Sequence, residues 1–214
     1  MGGTSKEYGL IYVAHIPRTG GNAVKLALRL SDAGHMDWET TKENLAIQRE
    51  WANYKRNTGM SVWDGYFKFA LVRNPFDLLP SLYYLPNRSD IRAMRPSWED
   101  FVRDPILKPG GEGTQRLPQS NIIGPEVDFI MKFENLAEDF ENMLAAAGIS
   151  KPYPALPPPE PYSLFTATKA HTNVITPDRL PYQQYYTEPW MIEAVYENFA
   201  EDFERFGYEW EEEK

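Results

Sequence analysis

Three groups of residues in this chain have types suited to binding an anion or to taking up a proton. The first is Pro17-Arg18-Thr19-Gly20-Gly21-Asn22, which follows the apolar run Leu10 to Ala14. A buried strand, a glycine turn and a helix N-terminus in that order aim backbone N–H groups and the positive end of the helix dipole at one point. Arg18 adds a fixed positive charge and Thr19 a hydroxyl donor, which suits a phosphate or a sulfate. The second group is Arg73 with Ser81, eight residues later. Arg73 ends the run FKFALV, and an arginine fork offers paired donors to phosphate oxygens. A serine on the following helix adds a third donor. The third is His35, preceded by Gly34 and lying between the other two. A neutral imidazole with a pKa near 6.5 can take a proton from a hydroxyl.

Each group also has a plainer reading. Many strand–glycine–helix turns bind nothing, Arg73 could simply pair with a neighbouring carboxylate, and a lone loop histidine is usually solvated. His15 is the second candidate for a base, though a structural place beneath the glycine turn suits it better, and His171 is assigned to fixing the C-terminal loop. No GK[ST] follows the glycines, so the turn is not a Walker A loop.

The elements that must position these groups read as strands alternating with helices. Runs at Leu10–Ala14, Phe67–Val72 and Val127–Phe133 have the apolar, β-forming character of buried parallel strands. Asn22 is expected to cap a helix that continues to Leu30. Thr40 and Glu43 have the spacing of a capping box ahead of a helix to about Tyr54. Pro75 suits the first position of a helix to about Leu85, with Asp77 in its first turn and Pro80 predicting a kink or a late start. Ser97 and Asp100 cap a short helix to about Arg103, and Asn135 caps one closed by Gly148. Pro189–Phe206 reads as one amphipathic helix ended by Gly207. Crossovers of more than about a dozen residues imply parallel pairing, so the expected fold is α/β: a single domain with a central parallel β-sheet flanked by helices. Ligands of such sheets sit at the carboxyl ends of the strands, where Arg18 and Arg73 fall. Residues 1–8 read as a loose lead-in, 9–210 as the domain, 152–161 as an extended proline-rich arm, and 211–214 as an acidic tail.

Composition limits the alternatives. Thirty-one acidic against 22 basic residues give a formal charge of −9 over 214 residues, which disfavours nucleic acid as a partner. The absence of cysteine removes disulfides, cysteine nucleophiles and thiolate metal sites, and the three histidines are not spaced as a metal pair. No metal is therefore expected. No apolar run reaches the ~20 residues of a membrane span, and the simplest location is cytoplasmic, although a chain trimmed of an anchor would read the same.

HIPRTGGN closely resembles HIPKTGGT, the 5′-phosphosulfate loop of the membrane-type, carbohydrate-modifying sulfotransferases, the heparan sulfate 2-O-like group among them. FALVRNPFDLLPSLYYL resembles the 3′-phosphate motif of the same family, with Arg73 and Ser81 at the matching positions. FIMKFENLAEDFENML and the closing stretch with D-x-x-x-F-G-Y extend the similarity to about residues 10–210. The resemblance implies a P-loop-kinase-like sulfotransferase fold and 3′-phosphoadenosine 5′-phosphosulfate (PAPS) as donor, leaving 3′,5′-adenosine bisphosphate. It also implies in-line transfer to an acceptor hydroxyl on a glycan, lipid or small metabolite. Pro17 to Asn22 would then hold the phosphosulfate, Arg73 and Ser81 the 3′-phosphate, His35 would be the base, and Arg18 would stabilise charge. Three positions depart from the pattern. Arg18 stands for the usual lysine, which keeps the charge but gives up proton donation. Leu78 stands where a further arginine is usual, and Pro80 where an aliphatic residue is. Arg88, Arg92 and Arg95 could form a basic lip toward an acceptor. A nucleotide-dependent kinase and a non-catalytic nucleotide- or glycan-binding module on the same fold are the competing readings.

Overall fold

The computed structural model describes residues 4–30, 37–47, 49–84, 93–95, 97–105, 118–158, 160–161, 174–175 and 180–212. The chain is α/β, built on a four-stranded sheet in the order β1 (Thr4–Ser5), β2 (Leu10–Tyr12), β3 (Phe67–Val72), β4 (Phe129–Lys132). β2, β3 and β4 are parallel, with Tyr12 beside Phe69 and Val72 beside Lys132. β1 is antiparallel to β2, so Thr4 and Ser5 in the expected lead-in form the edge of the sheet.

Alternation along β3 sorts the core. Phe69 and Leu71 pack with Leu10, Tyr12 and Met131 against α1 (Gly21–Ala27) and α8 (Leu136–Ala146). Ala70 and Val72 face the other way, onto α5 (Pro75–Tyr83), α6 (Trp98–Arg103), α7 (Gln119–Ile123), α9 (Pro189–Asn198) and α10 (Ala200–Phe206). Ile11 and Val13 complete that side against α2 (Trp38–Ile47) and α4 (Val62–Gly65), which are joined by α3 (Arg49–Thr58). A two-residue parallel pair, β5 (Glu160–Pro161) with β6 (Val174–Ile175), lies outside the main sheet. The proline-rich arm is not free of the body: Tyr153 and Leu156 pack on the α1–α8 side of the core.

Several helix boundaries differ from expectation for identifiable reasons. Gly20, at φ 83°, is the N-cap of α1, and Asn22 sits within its first turn. That left-handed geometry favours glycine over asparagine at the turn. α1 ends at Ala27 rather than Leu30. Asp37 caps α2, its Oδ1 accepting from the Thr40 N–H at 2.9 Å, so Thr40 lies inside the helix and is not its cap. Asn135 is the N-cap of α8 without a side-chain hydrogen bond. The single C-terminal helix is two, broken at the buried Phe199 (φ −122°, ψ 23°), while Gly207 ends the second in the left-handed conformation.

Pro80 does not delay α5: the helix starts at Pro75, with the Asn74 side chain capping Phe76, and runs on through Pro80 to Tyr83. Proline cannot donate to the carbonyl four residues back, here Phe76. The Tyr186 hydroxyl donates to that carbonyl instead, at 2.9 Å. A side chain from the C-terminal part of the chain thus supplies the hydrogen bond that the helix lacks.

Candidate active site

The carboxyl ends of β2, β3 and β4 converge on one place. After β2 the chain runs through the buried Ile16 and Pro17 to Arg18, which adopts φ 68°, and then to Gly20. Left-handed residues interleaved with ordinary ones turn successive peptide N–H groups toward a common point, a geometry that suits anions. The turn is closely packed from below. A Cβ on Gly21 would meet His15 Cδ2 at 2.7 Å, and one on Gly20 would meet Leu136 Cδ2 at 2.8 Å. His15 and Tyr12 are buried under the turn, and Tyr12 stacks on Phe69 at 5.2 Å. Burial pushes the Tyr12 phenol well above its ordinary pKa. The Thr19 hydroxyl, expected to face the ligand, instead donates to the Ile16 carbonyl at 2.8 Å and is fully buried. The Thr19 side chain therefore holds the turn's shape.

β3 delivers Arg73 into this place. Its Nη1 donates to the Arg18 carbonyl at 2.8 Å and to Ser81 Oγ at 3.1 Å. Ser81 Oγ also accepts from Arg18 Nε at 2.9 Å. Two guanidinium groups from the two motifs thus share one hydroxyl. Arg73 is 4% exposed and pairs with Asp77, its Nε 2.6 Å from Oδ2. The helix spacing of four residues puts Asp77 and Ser81 on the face of α5 that Arg73 covers. The plainer reading of Arg73 is met by its carboxylate partner Asp77, and the same guanidinium also reaches Ser81. Leu78 points into the apolar core and is fully buried, so the departure there takes nothing from this face.

The turn after β4 supplies two further residues. The Phe133 ring lies 4.0 Å from the Arg73 guanidinium carbon, a stacked cation–π contact. Glu134 Oε1 accepts from the Asn74 N–H at 2.7 Å, and its Oε2 accepts from the Tyr208 hydroxyl at 3.0 Å. Burial, and then the nearby Glu134 charge, pushes the Tyr208 phenol far above its usual range, so it stays a donor. The E-N-L and F-G-Y stretches meet through this bond, the first lying just after β4 and the second at the end of α10. Beside them, Asn74, Asp77, Glu134, Tyr182 and Gln183 line an open cleft of about 470 Å³.

His35 and His171 lie outside the described residues, as do Arg88 and Arg92. Arg95 is described, and its guanidinium is turned to Asp104, donating through Nε to the backbone carbonyl at 3.1 Å. Among the described residues, no cluster of three histidine, aspartate or glutamate side chains could hold a metal ion, and no helix is long and apolar enough to cross a membrane.

Residues 114–209 match the model of the sulfotransferase family. The match covers less than half of the chain and carries Gln119, Phe133, Glu134 and Tyr208 but not Arg18, Arg73 or Ser81. It supports sulfuryl transfer in general. Neither the curated proteins nor the solved structures contain a match to the chain.

Proposed function

We propose that this protein is a sulfotransferase that takes a sulfuryl group from PAPS and places it on a hydroxyl of a glycan or a small hydroxylated metabolite. The observation that carries this reading is the shared hydroxyl: Arg18 Nε and Arg73 Nη1 both donate to Ser81 Oγ. A phosphate oxygen can replace that oxygen as the common acceptor, and the serine, with its own proton, then turns from acceptor to donor. The cofactor's chemistry is the supply of the sulfuryl group; the protein's residues do the rest.

Arg73 and Ser81 bind the 3′-phosphate, with Asp77 and Phe133 holding the guanidinium plane in register. Arg18, the more exposed of the two arginines, lies between the two motifs and stabilises negative charge on the phosphosulfate side. The backbone N–H groups of Thr19 to Asn22 complete that side, because the first N–H groups of a helix have no partner within it. Preorganised donors aimed at developing charge are typically worth ~3–4 kcal/mol each. His35 takes the proton from the acceptor hydroxyl as the oxygen–sulfur bond forms. As the donor gave up its sulfuryl group, Arg18 and the N–H groups of the turn would hold the charge left with the electron pair on its phosphate.

Turnover with labelled PAPS against a library of glycans and hydroxylated metabolites tests this reading. A product heavier by one sulfuryl group, formed equally well in excess EDTA, is the expected result. Turnover of ATP that requires Mg²⁺, with none of PAPS, would overturn it in favour of a kinase. Tight binding of 3′,5′-adenosine bisphosphate with no transfer to any acceptor would favour a binding module.

A further inference from the structure

Arg73 does not stand on the end of β3 unaided. Gln119 Oε1 accepts from the Arg73 N–H at 3.0 Å, and Gln119 Nε2 donates to the Arg73 carbonyl at 2.8 Å. A primary amide carries the same donor and acceptor as a peptide group, so Gln119 acts as one further rung of the sheet. That rung lies one residue past Val72, whose partner Lys132 is the last on β4. Gln119 is itself held. Its N–H donates to Asp202 Oδ2 at 2.9 Å, its Nε2 to the same oxygen at 3.0 Å, and the Ser120 N–H to Asp202 Oδ1 at 2.7 Å.

Gln119 and Asp202 are both fully buried. A buried carboxylate is costly unless hydrogen-bonded, and this one is supplied with donors on both oxygens. Pro118, the N-cap of α7, makes no side-chain cap, and Asp202 from the first turn of α10 takes over that role. The arrangement therefore does two things: it caps α7, and it fixes both backbone groups of the residue that carries the site's inner guanidinium.

We propose that Gln119 and Asp202 are positioning residues for 3′-phosphate recognition, acting through the backbone of Arg73. This rests on Arg73 reading the 3′-phosphate. With Gln119 in place, the peptide groups of Arg73 cannot rotate, and its side chain leaves the strand toward Ser81 and Phe133. Without it, the guanidinium loses a fixed root and its alignment with a phosphate.

The test is a double-mutant cycle on the full chain, read by calorimetry with 3′,5′-adenosine bisphosphate and with adenosine 5′-phosphosulfate, which lacks the 3′-phosphate. Gln119→Ala should weaken the bisphosphate about tenfold, within the coupling range of residues in one network, and scarcely change the phosphosulfate. In an Arg73→Ala background, Gln119→Ala should have no further effect on the bisphosphate. Gln119→Met, equal in length but without hydrogen-bonding groups, should repeat the pattern and serves if the alanine variant does not fold. Equal losses for both ligands, equal losses in both backgrounds, or no loss in a folded variant would overturn the positioning role. An Arg73→Ala protein that binds the bisphosphate normally would instead remove the reading of Arg73, and this inference with it.

Discussion

Arg18 and Ser81, 63 residues apart in sequence, are joined by a 2.9 Å hydrogen bond from guanidinium Nε to hydroxyl Oγ. That bond links the loop after β2 to the helix after β3, and Arg73 Nη1 reaches the same oxygen. Two like charges thus converge on one neutral acceptor, and Asp77 is paired to one of them.

Ser81→Ala removes the shared acceptor and the third donor to phosphate. Affinity for 3′,5′-adenosine bisphosphate should fall roughly ten- to a hundredfold, the worth of ~1.5–3 kcal/mol for a hydrogen bond to a charged group. Calorimetry on the folded variant measures it, and unchanged affinity would mean that Ser81 only orders the two arginines.

The Tyr186 hydroxyl bond to the Phe76 carbonyl gives a stability prediction independent of the chemistry. Tyr186→Phe strands a buried carbonyl and should cost about 1–3 kcal/mol. In a Pro80→Ala background the helix regains its own donor, so the same substitution should cost much less. Urea denaturation of the four proteins decides it; an equal cost in both backgrounds would show that Tyr186 does not substitute for the missing N–H.

Glu126 gives a pH prediction. Its carboxylate is held below its ordinary pKa of 4.5, first by the hydrogen bond from Lys42 and then by that from the Trp63 indole, with burial opposing. A lowered folded pKa means a contribution present above the unfolded value and lost as pH falls through the folded one. The pair with Lys42 is well exposed on both sides, so the contribution should be under about 1 kcal/mol. Glu126→Gln should flatten the wild-type loss of stability below pH 4.5 by that small amount. An unchanged acid profile would remove the assignment.

His35→Ala should lower kcat by ~10²–10⁴-fold, the usual worth of a positioned base, with donor affinity nearly unchanged. The wild-type rate should fall as pH drops through an imidazole pKa near 6.5, because the protonated ring cannot accept a proton. That acid limb should be missing in the variant. A near-normal kcat in His35→Ala, with the large loss in His15→Ala instead, would transfer the role to the histidine beneath the turn.

What was legible in the sequence was local chemistry at strand ends. FKFALV is β3 to the residue, and Pro75 and Ser97 sit where proline and capping preferences put them. Arg18 could be named from its charge in a glycine turn, and Arg73 and Ser81 from their match to a family motif, all sequence-local signals. The partnerships that complete the site join distant segments and leave no periodic trace. Gln119 reaches Arg73 across 46 residues and Asp202 reaches Gln119 across 83, each as one side chain on a short helix. Thr19 was misread in direction for a different, local reason: a hydroxyl in such a turn can face in or out, and the nearby Ile16 carbonyl decides it. The break at Phe199 is hidden because apolar spacing continues across it.

The most direct measurement of the central claim is the affinity of Arg73→Ala for two ligands that differ in the 3′-phosphate. By calorimetry at fixed salt, 3′,5′-adenosine bisphosphate should bind the variant roughly ten- to a hundredfold more weakly than it binds the wild type, while adenosine 5′-phosphosulfate should change little. Equal losses for the two ligands would contradict 3′-phosphate recognition by Arg73, and with it the PAPS-binding site proposed for this chain.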